Sequence, residues 1–404
     1  MKKNIVNNVL ENNMCAGCGI CSGIVQENKI EMIMDKDGYL RPVVNKEITN
    51  NENEIIKNVC PGNVINYEEL PLSEPLFGNI KSTTIGYALD NQVRYKGSSG
   101  GVISQLLIYL LEKDKIDEVI HIGVSDKNPF LNEIKRSKTK DDVLKNSGSR
   151  YSPSSPLENL DDFLSEEKRF AFVGKPCDIA ALRSYSKFDN RVNEKILYFF
   201  SFYCAGIPSI EGTYAILNNF NIEPQNVKSF KYRGEGWPGL TEINTIKKEV
   251  YTMKYEDSWG KILNKHLQSR CKVCIDGVGE FADISCGDGW FGDEKGYPSF
   301  EEAGGRSLIT CRTDNGQNLL EDAVRDGYLK IERDIDTEDI ENIQPYQAER
   351  RKLLLTRITA LKLMNRKPPK YPVKLLLSAS KGISGKKKIK SFLGTAYRVV
   401  KGKI

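Results

Sequence analysis

The chain has 404 residues, 39% apolar and 28% charged, which excludes a disordered polypeptide and allows two or three domains with cores of their own. No apolar run approaches the roughly 18 residues that cross a bilayer, and Lys2 and Lys3 are followed by Asn-rich sequence and Glu11 rather than the apolar stretch of a secretion signal, so a cytoplasmic protein is expected. The net charge of +5 conceals an asymmetry: Pro345 to Ile404 carries 17 Lys and Arg against the single acid Glu349, and the remainder carries 42 bases against 53 acids.

In a reducing compartment the ten cysteines are seldom disulfides. The first of them form the run Cys15-Ala-Gly-Cys18-Gly-Ile-Cys21. This C-x2-C-x2-C spacing lets three thiolates converge on one iron–sulfur cube, and the small residues between them let the backbone bend round it. A bacterial ferredoxin run would then place a Cys-Pro where Val25 and Gln26 stand, yet Cys60-Pro61 occurs later. In two-cluster ferredoxins the fourth cysteine of each run serves the other cluster. Losing the second cluster therefore removes the thiol at position 25 and keeps the later Cys-Pro. Residues 1–70 read as a ferredoxin-like domain with one 4Fe-4S cluster on Cys15, Cys18, Cys21 and Cys60. Zinc is the alternative, although zinc sites usually pair their cysteines two and two.

Further along, Gly97-Ser-Ser-Gly-Gly101 precedes Val102, Ile103, Leu106, Leu107, Leu110 and Leu111, apolar positions at helical spacing. A helix entered through Ser98, Ser99, Gly100 and Gly101 offers backbone N–H groups to a phosphate, or is an ordinary capped helix start. Neither a G-x-G-x-x-G nor a Walker loop is present. Ser147-Gly-Ser149-Arg150-Tyr151-Ser-Pro153 is a polar loop that supplies an arginine to a phosphate and a tyrosine to a flat ring, or is a plain turn.

Residues 169–174 read as a buried strand, 178–183 as a helix start and 196–203 as the next strand. A strand–helix–strand unit is normally parallel, which puts Cys177 and Cys204 at the carboxyl ends of both strands, the edge where open α/β sheets bind ligands. Cys271-x2-Cys274 follows an expected helix over 261–268. Spacing alone leaves open whether these four share a metal. Cys286 and Cys311 fall in strand-like stretches and read as buried bystanders. Arg233, Trp237 and Asp288, in glycine-rich loops, are candidates for the substrate side. With only His121 and His266, a histidine-based triad or metal site is not expected. At the C-terminus Ile389, Phe392, Leu393, Ala396, Tyr397 and Val400 repeat on one helical face among lysines. Such a basic amphipathic helix lies on an anionic membrane surface or docks on protein.

Taken together, Ser98-Ser-Gly-Gly-Val102, Gly148-Ser-Arg-Tyr151, Val173-Gly-Lys-Pro-Cys177, Phe202-Tyr-Cys-Ala-Gly206, Arg270-Cys-Lys-Val-Cys274 and Phe281-Ala-Asp-Ile-Ser285 with Gly287-Asp288 resemble the coenzyme F420 hydrogenase/dehydrogenase beta-subunit family, over about residues 1–330. The resemblance implies an iron–sulfur flavoprotein. It places a second 4Fe-4S cluster on Cys177, Cys204, Cys271 and Cys274, and FAD in the central α/β region, where Ser98, Ser99, Gly100, Gly101, Ser149, Arg150, Tyr151 and Lys175 are the expected contacts.

The resulting expectation is an α/β (α+β overall) protein. Its parts are a ferredoxin-like domain (1–70), the first part of a flavin-binding region (71–165), an α/β domain with the second cluster (166–344) and a basic helical tail (345–404). Electrons from ferredoxin or another one-electron donor would reach FAD through two 4Fe-4S clusters and be delivered to a small organic or lipid-linked substrate. The tail would hold the protein peripherally at the inner membrane surface or bind a protein. Two rivals stand beside this reading: an electron-transfer subunit without a substrate site, and a zinc-stabilised nucleic-acid-binding protein. The favoured reading has no nucleic-acid partner.

Overall fold

The fold is built on a sheet whose middle is parallel and whose flanks are antiparallel, seen in a computed structural model that describes residues 4–67, 74–292, 299, 301–402 and 404. The boundary expected at residue 70 lies outside the described residues. In chain order the strands are β1 (Ile30–Met34), β2 (Leu40–Val44), β3 (Ser82–Ala88), β4 (Glu118–Val124), β5 (Asn132–Ser137), β6 (Phe170–Gly174), β7 (Ile196–Phe202), β8 (Val227–Lys231), β9 (Thr241–Thr245), β10 (Val250–Met253), β11 (Ile284–Asp288), β12 (Ser307–Cys311) and β13 (Leu329–Asp334). Eight of them form the main sheet in the order β13-β3-β12-β11-β7-β6-β4-β5. The run β11-β7-β6-β4 is parallel, with Phe172 opposite Phe199 and Gly174 opposite Ser201. This confirms the mixed α/β class.

Strand residues alternate between two cores, as the pleat requires. Ala171, Phe200, Ile284, Ile309 and Cys311 join one core with Leu106, Leu107 and Leu110 of the helix Val102–Glu112. Phe170, Phe172 and Phe199 join the other with Ile179 and Leu182 of the helix Pro176–Tyr185. That second core continues into both chain ends: Val9, Cys15, Cys18 and Val59 belong to it, and so do Leu354, Leu361, Leu376 and Val399. A smaller antiparallel sheet, β10-β9-β8, packs its own core around Phe230, Tyr232 and Ile243.

The N-terminal segment delivers cysteines by local rules. Thr49 and Glu52 form a reciprocal capping box that starts the helix Asn50–Val59, and the chain turns extended at its C-cap, Cys60, just before Pro61. Ile56 and Val59 are buried and set this helix against the helix Pro176–Tyr185. In the Cys15–Cys21 loop, Gly19 takes φ +84°, and a Cβ there would meet the Glu158 backbone N at 2.8 Å, so only glycine fits.

The basic segment after Pro345 is helical: Pro345–Lys352, Leu354–Leu363, Val373–Ala379 and Gly385–Val400. The last helix packs on Leu354–Leu363 with Thr395 and Val399 buried. The apolar face expected from the sequence is therefore divided. Ile389, Leu393, Tyr397 and Val400 face outward, each at least 60% exposed, because docking is made by the neighbouring row of the helix. Among the described residues no helix is long and apolar enough to cross a membrane.

Candidate functional site

Strand β6 ends at Gly174, and Pro176 then opens a helix whose first turn carries Cys177, proline being suited to that first position. Strand β7 ends at Phe202, two residues before Cys204. Because β6 and β7 pair in parallel, both cysteines emerge at one sheet edge, as the sequence pattern indicates. Cys271 lies in a short helix, Ser269–Lys272, and Cys274 just beyond it.

Each set acts on itself electrostatically. Burial, and then Cys60, hold the Cys18 and Cys21 thiols well above the usual thiol range. Burial, and then Cys15, push Cys60 up to about 12. In the second set burial, then Cys271, push Cys204 up to about 12. Burial, then Asp178, raise Cys177, on which Cys274 also acts. Thiols crowded in this way stay protonated by themselves, and binding as thiolates calls for a cationic metal core. Sulfur-directed donors are already in place: Gly17 N donates to Cys15 Sγ at 3.4 Å, and Ile207 N and Gln268 Nε2 donate to Cys271 Sγ at 3.4 and 3.5 Å. Cys274 Sγ donates to Asp276 O at 2.9 Å, a bond its thiolate would give up to iron. Among the described residues no three His, Cys, Asp or Glu side chains close on a single metal ion.

The two sets adjoin. Gln268 Nε2, beside Cys271, also donates to Ala16 O at 3.1 Å, and Arg270 Nε donates to Pro61 O at 3.0 Å. Cys18 acts on Cys177 as well. Behind the second set the C-terminal helices close in: Arg350 Nη2 donates to Cys204 O at 3.1 Å, Arg357 Nη1 to Lys272 O at 2.8 Å, and Arg351 to Ile275 O at 2.8 Å while it pairs with Glu280. Sequence reading gave Gln268, Arg270 and these tail arginines no role. Arg270 opens a quoted cysteine motif and Gln268 lies two residues before it, the only signal available.

Cys204 and Lys175 also line a cavity of about 740 Å³, within the range of small-molecule sites. Ser98, Ser99, Gly101, Ser149, Arg150 and Tyr151 line it as well. Gly101, at φ +73°, starts the helix Val102–Glu112, and a Cβ there would meet Val93 O at 2.7 Å. Ser98 Oγ is buried without a hydrogen-bond partner. Ser99 Oγ is tied to Arg306 O at 2.9 Å. Gly100 does not line the cavity: its N–H donates to Ser307 Oγ at 3.0 Å, and its Cα packs against the backbone of Arg306 and Ser307. Arg150 donates to Asn132 Oδ1 and to the carbonyls of Phe230, Pro129 and Leu131, and meets no carboxylate among the described residues. Lys175 is closed onto Asp178 at 2.9 Å and donates to Ser154 Oγ at 3.0 Å, so its charge is spent inside the protein.

The far wall is aromatic. Tyr151 packs on Trp259 with ring centroids 4.7 Å apart. The helix expected over 261–268 is replaced by a widened π turn over Glu256–Ile262 and a 3-10 turn over Leu263–His266. This winding brings Tyr255, Trp259 and Gly260 to the cavity, and π turns gather at functional sites. Arg233 and Asp288 line the cavity as a bidentate pair at 2.8 and 2.7 Å, with Trp237 Nε1 on Asp288 at 2.8 Å. Trp237 itself is buried behind them.

Sequence models of the coenzyme F420 hydrogenase/dehydrogenase beta subunit match this chain, the N-terminal model over residues 83–160 and the C-terminal model over residues 167–337. An uncharacterised protein of Methanocaldococcus jannaschii is 25% identical over 377 residues, covering 86% of this chain and 97% of that protein. The coenzyme F420 hydrogenase subunit beta of Methanococcus voltae is 25% identical over 283 residues, covering 67% of this chain and 88% of that subunit. In fold, the chain is similar to a chain of the F420-reducing [NiFe] hydrogenase complex from Methanosarcina barkeri, with a TM-score of 0.56 at 22% identity over 75% of this chain and all of that one.

Proposed function

Because the chain belongs to the coenzyme F420 hydrogenase/dehydrogenase beta-subunit family, an electron-transferring oxidoreductase family, we propose that it is an iron–sulfur flavoenzyme taking electrons from a ferredoxin-type donor and passing them to a small organic substrate. When bound, two 4Fe-4S clusters would supply one-electron transfer and FAD would supply the pairing of electrons that organic reduction needs.

The observation that carries this reading is the placement of the second cysteine set: Cys204 faces the cavity, while Gln268 and Arg270 touch the backbone of the N-terminal set. Cys15, Cys18, Cys21 and Cys60 would hold one cluster, and Cys177, Cys204, Cys271 and Cys274 the other. Ser98 Oγ and the start of the helix Val102–Glu112 offer donors to a phosphate. Arg150 adds a cation without a carboxylate partner. Tyr151 and Trp259 offer an aromatic wall to a flat ring. The Arg233–Asp288 pair is already satisfied and orients the wall rather than moving protons.

Anaerobic purification with absorption, iron and flavin analysis tests the reading. About eight irons and one FAD per chain are expected. Eight irons without flavin would instead identify an electron-transfer subunit. Three of the relatives are named as beta subunits of coenzyme F420 hydrogenase, and a partner protein that donates electrons belongs to the same proposal.

We also propose that the last helix meets an anionic lipid surface. Ile389, Leu393, Tyr397 and Val400 are exposed on one side, lysines 386, 387, 388 and 390 accompany them, and no acid occurs after Glu349. Charge complementarity thus favours anionic headgroups over a second copy of the same basic helix. Full-length protein is expected to sediment with anionic vesicles at low salt, less so with added salt, and Leu393→Asp to abolish this with iron and flavin unchanged. Failure of the unaltered protein to bind such vesicles assigns the face to a protein partner.

A further inference from the structure

Among the described residues, the fully buried cations have every N–H matched by an acceptor, with one exception at the junction of the two cysteine sets. Lys175, Arg233 and Arg351 are each closed onto a carboxylate: Asp178, Asp288 and Glu280. Arg312 spends its guanidinium on Ser285 Oγ and the carbonyls of Phe77, Asn79 and Val278. Arg270 is 2% exposed and has no carboxylate within ion-pair distance among the described residues. Its Nε is held by Pro61 O at 3.0 Å, and its Nη2 is buried with no acceptor at all. A guanidinium taken out of water in this state is costly unless something negative stands beside it.

The surroundings show where that charge belongs. Arg270 precedes Cys271 in the chain; its guanidinium carbon lies 5.8 Å from the Tyr371 ring, and after Tyr371 the groups that act on it are the thiols of Cys274, Cys177 and Cys271. On its other side it acts on Cys60 and holds the carbonyl of Pro61, the next residue. Gln268 bridges the same gap, from Cys271 Sγ to Ala16 O. A 4Fe-4S cube on four thiolates is an anion, and each added electron makes it more so. A fixed cation between two such anions lowers the repulsion between them and favours the reduced form of both.

Resting on the two-cluster reading above, we propose that Arg270 is the shared counter-charge of both iron–sulfur clusters, a positioning residue that raises both reduction potentials together. The planar fork suits this place because it keeps its charge when buried and reaches in two directions at once. The unpaired Nη2 is then a donor held for a cluster, and the Pro61 contact fixes the fork between the two sets.

Redox titration followed by EPR, on anaerobically prepared full-length protein, tests this without reference to turnover. In Arg270→Met, iron content is expected to stay at the unaltered level while both cluster midpoints shift to more negative potential. Arg270→Lys, which keeps the charge, should recover most of the shift. Unchanged midpoints in a fully loaded Arg270→Met protein overturn the proposal, and so does a shift confined to one cluster. If Arg270→Met fails to take up iron, Arg270→Lys decides: loading with near-original midpoints supports the charge, whereas the same failure assigns Arg270 a purely structural role. An unaltered protein that binds only four irons fails earlier, at the two-cluster reading itself.

Discussion

The two cysteine sets are made in opposite ways. Three thiols of the first come from seven consecutive residues and the fourth from a helix end at Cys60, so the set is largely the product of one short segment. The second gathers residues between 177 and 274 and exists only because β6 and β7 run parallel and end together. Their surroundings differ as well. Cys15, Cys18 and Cys21 are buried among apolar side chains, and their sulfurs are met by backbone N–H groups of their own segment, Gly17 toward Cys15, Ile20 toward Cys18 and Ser22 toward Cys21. The second set is less enclosed, receives donors from Ile207 and Gln268 and has Arg350 on the carbonyl of Cys204. A local motif yields an enclosed site bonded by its own backbone, and a sheet edge yields a more open one with a side-chain donor and an arginine beside it. Hydrogen bonds, positive charge and solvent all favour the reduced state.

The largest effects expected are losses of metal. Cys60→Ser should remove about four irons, as Cys18→Ser should, and Cys177→Ala or Cys274→Ala should each remove about four from the other set. Cys286→Ala and Cys311→Ala, in the core beneath the sheet, should remove none. Full iron content with an unchanged reduced-state EPR signal in Cys60→Ser would break the comparison at its first term. Next in size is a flavin effect that leaves both sets intact. Ser149→Trp places an indole in the cavity and should abolish bound FAD while iron is retained; undiminished flavin would move the cofactor elsewhere.

The comparison also predicts an order of potentials. The Cys177 set should titrate at higher potential than the Cys15 set, readable by assigning each EPR signal through the single-set cysteine variants. The reverse order would show that exposure and nearby positive charge are not what separates the two sites. Smallest is Ser98→Ala. A hydrogen bond to a charged group is worth ~1.5–3 kcal/mol, so flavin affinity should fall roughly tenfold or more, measured by fluorescence of released flavin. Unaltered affinity would leave Ser98 Oγ without a ligand role.

Much of this site could be read from the chain alone where chemistry and spacing coincide. The Cys15–Cys21 run, the strand–helix–strand unit around Cys177 and the glycine entry to Val102–Glu112 all appear where expected. Gly100 illustrates the limit. Read as a phosphate contact, it is glycine because the backbone of β12 and of Arg306 passes 2.7–2.8 Å from where a Cβ would be, a constraint set by residues two hundred positions away. Arg270 was equally invisible, since a sequence shows an arginine but not the missing carboxylate that makes it unusual. For the last helix, the period was legible but not which half of the face would dock, because that depends on the surface offered by Leu354–Leu363.

One core contains Val9, Cys15 and Cys18 together with Phe172 and Val399, and this sets a schedule. A ribosome adds about 5–20 residues per second, so the N-terminal cysteines emerge on the order of tens of seconds before the last helix of the core they share. Through that interval the Cys15–Cys21 loop lacks part of its eventual core and, on the two-cluster proposal, is open to whatever delivers iron and sulfide, and also to oxidants. Arrival of the C-terminal helices completes that core. The far end of the chain thus acts as the closing step of the protein's own biosynthesis.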